Sequence, residues 1–286
     1  MKVNPDELER GQFTFTDGEE GRMYYHPETG FRAASVTTVL KERNDPDKDE
    51  GIGGWKDHFD GSVSYRSPHW EDQMLYKQVR GTLAHYAVLN QLDSTLDMSH
   101  EEYEAQDVLQ NWVDERPRDD DGNVLSTGSP QKYDGADPWD KAMREVNYVC
   151  EAFEGLWNDR DLHVDNVIAA EKFISYTNPQ FAYCGQFDLL YEDADGEIVV
   201  ADLKTSSAVR IDYKLQLAAY ANALDRDVDR LEVWRIYPDK EQTEVSRSDT
   251  WERSVEGLTH EFLALAERTI VHRMDDDMID TEETTT

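Results

Sequence analysis

Apolar positions along this chain follow helical spacing through much of the first half, and alternation or short apolar runs through much of the second. Residues 12 to 40 open with short alternating runs, QFTFT, RMYYH and FRAASVTTVL, broken by Asp17-Gly18 and by Pro27 to Gly30. They predict short strands leading into a helix that begins near Ser35. Residues 44 to 69 are loop-like, rich in Gly and Asp around an apolar IGGW segment. Helical spacing returns from about Glu71 to Leu92 and again from about Ser99 to Glu115, before a polar loop, RPRDDDGNVLSTGSPQKYDGADP. A third helix is predicted from about Trp139 to Asn158, with Met143, Val146, Val149, Cys150, Phe153 and Trp157 on one stripe.

The period then changes. NVIAAEKFI (166 to 174), FAYCGQFDLLYE (181 to 192) and EIVVADLK (197 to 204) read as three successive strands. A helix from about Asp212 to Ala223, a strand at 231 to 238 and a last helix from about Trp251 to His272 follow. The order is that of an α/β protein with a mostly helical N-terminal elaboration. It divides into residues 1–165, a core at 166–272, and an acidic tail, 273–286, expected to be disordered.

The turn Asp193-Ala194-Asp195-Gly196 carries the first chemical consequence. A three-residue hairpin loop places Gly at its left-handed position. If Ala194 to Gly196 form that loop, Asp193 pairs with Glu197 and Asp188 lies opposite Asp202. Paired residues share a face, and period two adds Lys204 to it. Two carboxylates facing each other destabilise a ladder unless something neutralises them. A divalent cation does so, and hard carboxylate oxygens suit Mg²⁺ or Mn²⁺. The Leu203 carbonyl between them is a further candidate ligand. Lys204 is then placed to orient or deprotonate a water, or to hold a phosphate oxygen. The plain alternative is a surface hairpin bearing ordinary acids.

GQFD, then VVADLKT after a short turn, then QLAAY on a helix, resembles the RecB-like branch of the PD-(D/E)XK nucleases. The resemblance implies a restriction-endonuclease-like core, a mixed central sheet flanked by helices. It implies metal-site roles for Asp188, Asp202 and Lys204. The Gln and Tyr of the family's following helix match Gln216 and Tyr220, four residues apart and so on one face. Upstream, RGTLAH resembles the family's G-T-x-x-H motif through Gly81, Thr82 and His85, which makes His85 a metal ligand. By spacing alone His85 reads as a core histidine on a stripe with Val88, Leu89 and Leu92. ASVTTVL followed by Trp55 is similar to the start of phage-type exonucleases of this group. Glu171 matches an acidic position near the metal, its alternatives being a surface acid or one paired with Lys172. Some relatives hold an iron–sulfur cluster with four cysteines; two cysteines, Cys150 and Cys184, imply none here.

Charge shapes the setting. Lys plus Arg number 29 against 62 Asp plus Glu, a net charge of −33, spread over loops and polar helix faces. Such a surface suits molar salt, where repulsion is screened over roughly 3 Å, and it points to a halophilic source. In that solvent the acidity says little against a DNA partner, whose usual basic footprint works through counterion release. No apolar leader or membrane-length stretch is evident, so a soluble, cytoplasmic protein is expected.

The reading that follows is a metal-dependent DNA exonuclease acting on ends or single strands in recombination, replication or repair. With no helicase motif, any helicase or recombinase partner is a separate chain. Alternatives are an endonuclease of the same fold, a non-catalytic DNA-binding module, or an unrelated acidic interaction protein.

Overall fold

The computed structural model describes residues 14–18, 21–25, 32–41, 43, 55–57, 63–65, 68–92 and 138–283. The helix expected at 99 to 115 and the polar loop after it lie outside the described residues.

β1 (Thr14–Gly18), β2 (Gly21–Tyr25) and β3 (Arg32–Ser35) lead directly into α1 (Val36–Lys41). Within the stretch expected to be a loop, β4 (Trp55–Asp57) and β5 (Val63–Tyr65) pair as a separate small antiparallel sheet. Three-residue strands are too short to show a period, which is why alternation missed them. α2 (Pro68–Leu92) and α3 (Pro138–Asn158) follow. The second half contains β6 (Val167–Thr177), β7 (Ala182–Glu192), β8 (Ile198–Lys204), α4 (Ile211–Ala223), β9 (Arg230–Tyr237), β10 (Gln242–Arg247) and α5 (Val255–Glu283).

The main sheet has eight strands in the order β1-β2-β3-β7-β8-β9-β10, with β6 also paired to β7. It is mixed: β3–β7 and β8–β9 are parallel and the other pairs antiparallel. Because β3 pairs with β7 through Ala34↔Tyr183 and Ser35↔Cys184, the first three strands belong to the core sheet. The main sheet therefore draws strands from both sides of residue 165. α5 forms one helix from Val255 to Glu283. No Gly or Pro follows Gly257, so nothing in the backbone chemistry stops the helix earlier.

Helices cover both faces. α2 and α3 pack on one through Val79, Leu83, Val88, Val146, Phe153 and Trp157, against Leu189, Tyr191, Val199 and Trp234 of the sheet. α1, α4 and α5 cover the other through Val39, Leu215, Leu217, Ala218 and Phe262, against Tyr183, Leu190, Val200 and Val233. Burying an aromatic or branched aliphatic side chain of this kind stabilises by about 1.5–3 kcal/mol.

Among the described residues, β7 alone has three partners. β6 runs along one edge, so β3 and β8 share the other, β3 reaching Cys184 and β8 starting at Leu189. The edge at 185 to 188 lies in the fork between them. Facing also inverts there. Tyr183 and Phe187 face the α1/α4/α5 layer, yet after Asp188 it is Leu190 that does so, while Leu189 and Tyr191 face α2 and α3. Opposite Asp188 on β6, Glu171 has φ of 50°. A left-handed residue inside a strand costs of order 1–3 kcal/mol and turns its side chain out of the alternation.

Candidate metal centre

The hairpin that carries the acids has the anticipated register. β7 and β8 pair as Glu192↔Ile198, Tyr191↔Val199, Leu190↔Val200 and Leu189↔Ala201. The Asp193 N–H donates to the Glu197 carbonyl at 2.9 Å, and Gly196 has φ of 80°. Arg230 locks this turn by pairing with Asp193, Glu197 and the buried Glu232.

One residue beyond Leu189, in the fork, the Asp188 carboxylate accepts the Leu203 N–H at 2.7 Å. The carboxylate thus takes a bond that a ladder partner's carbonyl would otherwise supply. Asp202 is wholly buried, with Lys204 Nζ 2.6 Å from its Oδ2. Oδ2 is thus ion-paired, while Oδ1 is buried without a hydrogen-bond partner. Lys204 also lies 5.3 Å from the centre of the Tyr213 ring at the start of α4.

From the opposite layer, α2 brings His85 to the end of β8. Its Nε2 is 2.6 Å from the Leu203 carbonyl, and its Nδ1 is 3.4 Å from Asp188 Oδ2 and 4.0 Å from Glu171 Oε1. His85, Glu171 and Asp188 each offer a ligand atom, all within 4.8 Å of one another. Glu171 is therefore neither a surface acid nor one paired with Lys172; its backbone twist turns it inward, where Gln186 donates to its Oε2. Gly81 lets α2 approach closely, since a Cβ there would lie 3.3 Å from Thr205 Oγ1. Thr82 is exposed.

On α4, Gln216 Nε2 donates to the Tyr220 hydroxyl at 2.7 Å. Gly185 makes room for that ring: a Cβ there would sit 2.6 Å from Tyr220 Cε1 and 3.0 Å from Val36 Cγ2. Two participants carry little sequence signal, Gln186 and the buried Arg80. A Gln beside the motif Asp and an Arg in a polar run both read as solvated positions. Only the alternation around GQFD hints at Gln186. The side chain of Trp55 lies outside the described residues.

The electrostatics express crowded acids. Burial raises the Asp202 carboxyl, and despite Lys204 it reaches about 6, with Asp188 adding to the rise. Asp188 is likewise raised, mainly by burial, against the opposing pull of His85 and Lys204. Burial works to lower the His85 imidazolium, but Asp188 and Glu171 outweigh it and push His85 up to about 9. Lys204 also rises above its ordinary value, Asp202 and Asp188 overcoming the cost of burial. Tyr220 is held well above the usual phenol value by burial and by Asp202, so its hydroxyl stays protonated.

A divalent cation fits this donor set. Buried carboxylates with no hydrogen-bond partner are costly unless a positive charge meets them. Lys204 meets Asp202 Oδ2, which leaves Oδ1 buried without a hydrogen-bond partner. Carboxylate oxygens with one imidazole suit Mg²⁺ or Mn²⁺.

A model of the PD-(D/E)XK nuclease superfamily matches residues 62–284. The chain belongs to this superfamily. The mixed sheet flanked by helices is the restriction-endonuclease-like core of that superfamily. No curated protein matches the chain. Among solved structures, that of SSO0001 is 18% identical with a TM-score of 0.30, over 46% of this chain; this chain spans only 59% of that protein's length. Protein VC1899 from Vibrio cholerae is 12% identical with a TM-score of 0.23, over 90% of this chain and 70% of the other. Neither similarity bears on function. Among the described residues, no helix is long and apolar enough to cross a membrane.

Proposed function

We propose that this nuclease is a Mg²⁺- or Mn²⁺-dependent DNA exonuclease of the RecB-like branch, hydrolysing phosphodiester bonds at ends or in single strands. The observation that carries the reading is Asp202, wholly buried with Oδ2 on Lys204 and Oδ1 without a hydrogen-bond partner, next to the His85–Glu171–Asp188 group. The order of RGTLAH, GQFD, VVADLKT and QLAAY supports the branch and, through it, the exonuclease.

His85, Asp188 and Asp202 would hold the cation, with the Leu203 carbonyl a further donor and Glu171 beside them. A bound divalent cation supplies Lewis acidity toward a phosphoryl oxygen and lowers the pKa of water. The chain's own groups do the rest. Lys204, kept charged by Asp202 and Asp188, holds a non-bridging phosphate oxygen and orients the attacking water. Gln216 fixes the Tyr220 hydroxyl, whose retained proton is available to an acceptor near the acids. Glu171, anchored by Gln186, adds negative charge that favours cation uptake.

The net charge of −33 supports a halophilic source and a cytoplasmic, high-salt working environment. Duties in recombination, replication or repair, alongside a separate helicase or recombinase, accord with an end-directed nuclease. The test offers end-labelled linear DNA and closed circular DNA, in molar KCl with Mn²⁺ or Mg²⁺. Loss of linear DNA with the circle intact is expected. Opening of the circle replaces the exonuclease with an endonuclease of the same fold. Binding without cleavage points to a DNA-binding module.

A further inference from the structure

The structure assigns to Arg80 the task of positioning His85: its buried guanidinium clamps α2 to the end of β8 and so sets the affinity of the metal centre. This inference rests on the metal-centre reading above.

Arg80 lies five residues before His85 on α2 and is only 1% exposed. Its Nη1 donates to Glu145 Oε2 on α3 at 2.7 Å and to Asp239 Oδ1, in the turn after β9, at 2.5 Å. Its Nη2 donates to the Thr205 carbonyl at 3.2 Å. One side chain therefore joins four segments of chain. The Thr205 bond is the informative one, because Thr205 follows Lys204 directly. Further along the same helix, His85 meets the Leu203 carbonyl at 2.6 Å. α2 thus grips β8 on both sides of Lys204, at Thr205 through Arg80 and at Leu203 through His85. The close approach at Gly81 lies between the two grips.

A buried guanidinium shared by two carboxylates is an expensive way to hold a helix, since a desolvated cation is costly before it is paired. An apolar residue would pack there at less cost. The planar fork offers what an apolar side chain cannot: fixed directions toward two acids and one carbonyl at once. Lysine, a point donor on a flexible stem, cannot span all three. Groups that orient a metal ligand rather than bind the metal typically change affinity 10–100-fold when replaced.

The test measures Mn²⁺ binding by calorimetry and electron paramagnetic resonance, without DNA, for wild type, Arg80→Lys and Arg80→Met. Phe262→Leu, in the core on the other face, controls for general destabilisation. The Mn²⁺ dissociation constant is expected to rise about tenfold or more in the Arg80 variants and to stay at the wild-type value in Phe262→Leu. If Arg80→Met fails to fold, Arg80→Lys, which keeps the charge, decides alone. Wild-type affinity in a folded Arg80→Lys overturns the assignment while the metal centre stands. Should wild type itself bind no Mn²⁺, the metal-centre reading fails and the inference about affinity fails with it. Amide exchange at Leu203 in the metal-free proteins then separates what is left: faster exchange in Arg80→Lys upholds the clamp, and unchanged exchange removes that too.

Discussion

Asp188 accepts the backbone N–H of Leu203 at 2.7 Å across the fork in the sheet, where β3 has left β7 and β8 has not yet begun to pair. A side chain replaces a ladder bond there, which turns the carboxylate toward the strand that carries Asp202 and Lys204. His85 contacts the carbonyl of the same Leu203 from the other layer. Asp188, Glu171 and His85 converge where the sheet splits, so the acids hold the imidazole charged while His85 and Lys204 oppose the rise that burial gives the Asp188 carboxyl.

That crowding makes the metal-free protein sensitive to pH. His85, held near 9 by Asp188, lies above its ordinary value of about 6.5. A raised histidine contributes stability that is fully present below about 6.5 and lost as pH rises through about 9. In molar KCl with chelator, the melting temperature is expected to fall across that window, and His85→Gln to flatten the slope. Adding Mn²⁺ reverses the trend, because a metal needs the neutral imidazole. A wild-type slope no steeper than that of His85→Gln contradicts the assigned neighbours.

Glu171 pays for its position with a left-handed backbone, φ 50°. Glycine adopts that conformation freely, whereas alanine does not. Glu171→Gly is therefore expected to be more stable than Glu171→Ala by about 1 kcal/mol. Both variants lose the Gln186 bond and bind Mn²⁺ more weakly. Urea denaturation of the two reads the difference, and equal midpoints would mean that β6 is not twisted at this residue.

The register of the hairpin that carries Asp188 and Asp202 was legible in the sequence. The Asp193 to Gly196 turn set a register that the structure shares from Glu192↔Ile198 to Leu189↔Ala201, because a three-residue loop with a left-handed Gly leaves little choice. What escaped was non-local or unpatterned. The parallel pairing of Ala34 and Ser35 with Tyr183 and Cys184 joins segments nearly 150 residues apart and leaves no local trace. β10 was missed because QTEVSR has no buried residue and so no apolar alternation. The twist at Glu171 inverts the two-residue period that strand recognition depends on, and the charge of Arg80 conceals its burial.

Gly185 has a steric duty. A methyl group there would lie 2.6 Å from the Tyr220 ring, with Val36 at 3.0 Å behind it. Gly185→Ala is expected to destabilise by about 1–3 kcal/mol, as overpacking of a full core does. It also separates Tyr220 from Gln216. Tyr220→Phe leaves the ring in place and is expected to cost little stability while still lowering cleavage. Chemical denaturation with parallel nuclease assays distinguishes the two. A Gly185→Ala protein as stable as wild type contradicts the contact.

The central claim is that Asp202 and Lys204 belong to a metal-dependent nuclease centre, and one comparison tests it most directly. Degradation of end-labelled linear DNA is followed in molar KCl with Mn²⁺ or Mg²⁺, for wild type, Asp202→Asn and Lys204→Ala. Asp202→Asn keeps the shape of a buried group whose Oδ1 has no hydrogen-bond partner while removing its charge. The metal-free protein is expected to remain folded and become no less stable. The account predicts metal-requiring cleavage by wild type, a loss of 100-fold or more, roughly 3 kcal/mol of transition-state stabilisation, in both folded variants, and loss of Mn²⁺ stabilisation in Asp202→Asn. Cleavage at the wild-type rate by either folded variant contradicts it.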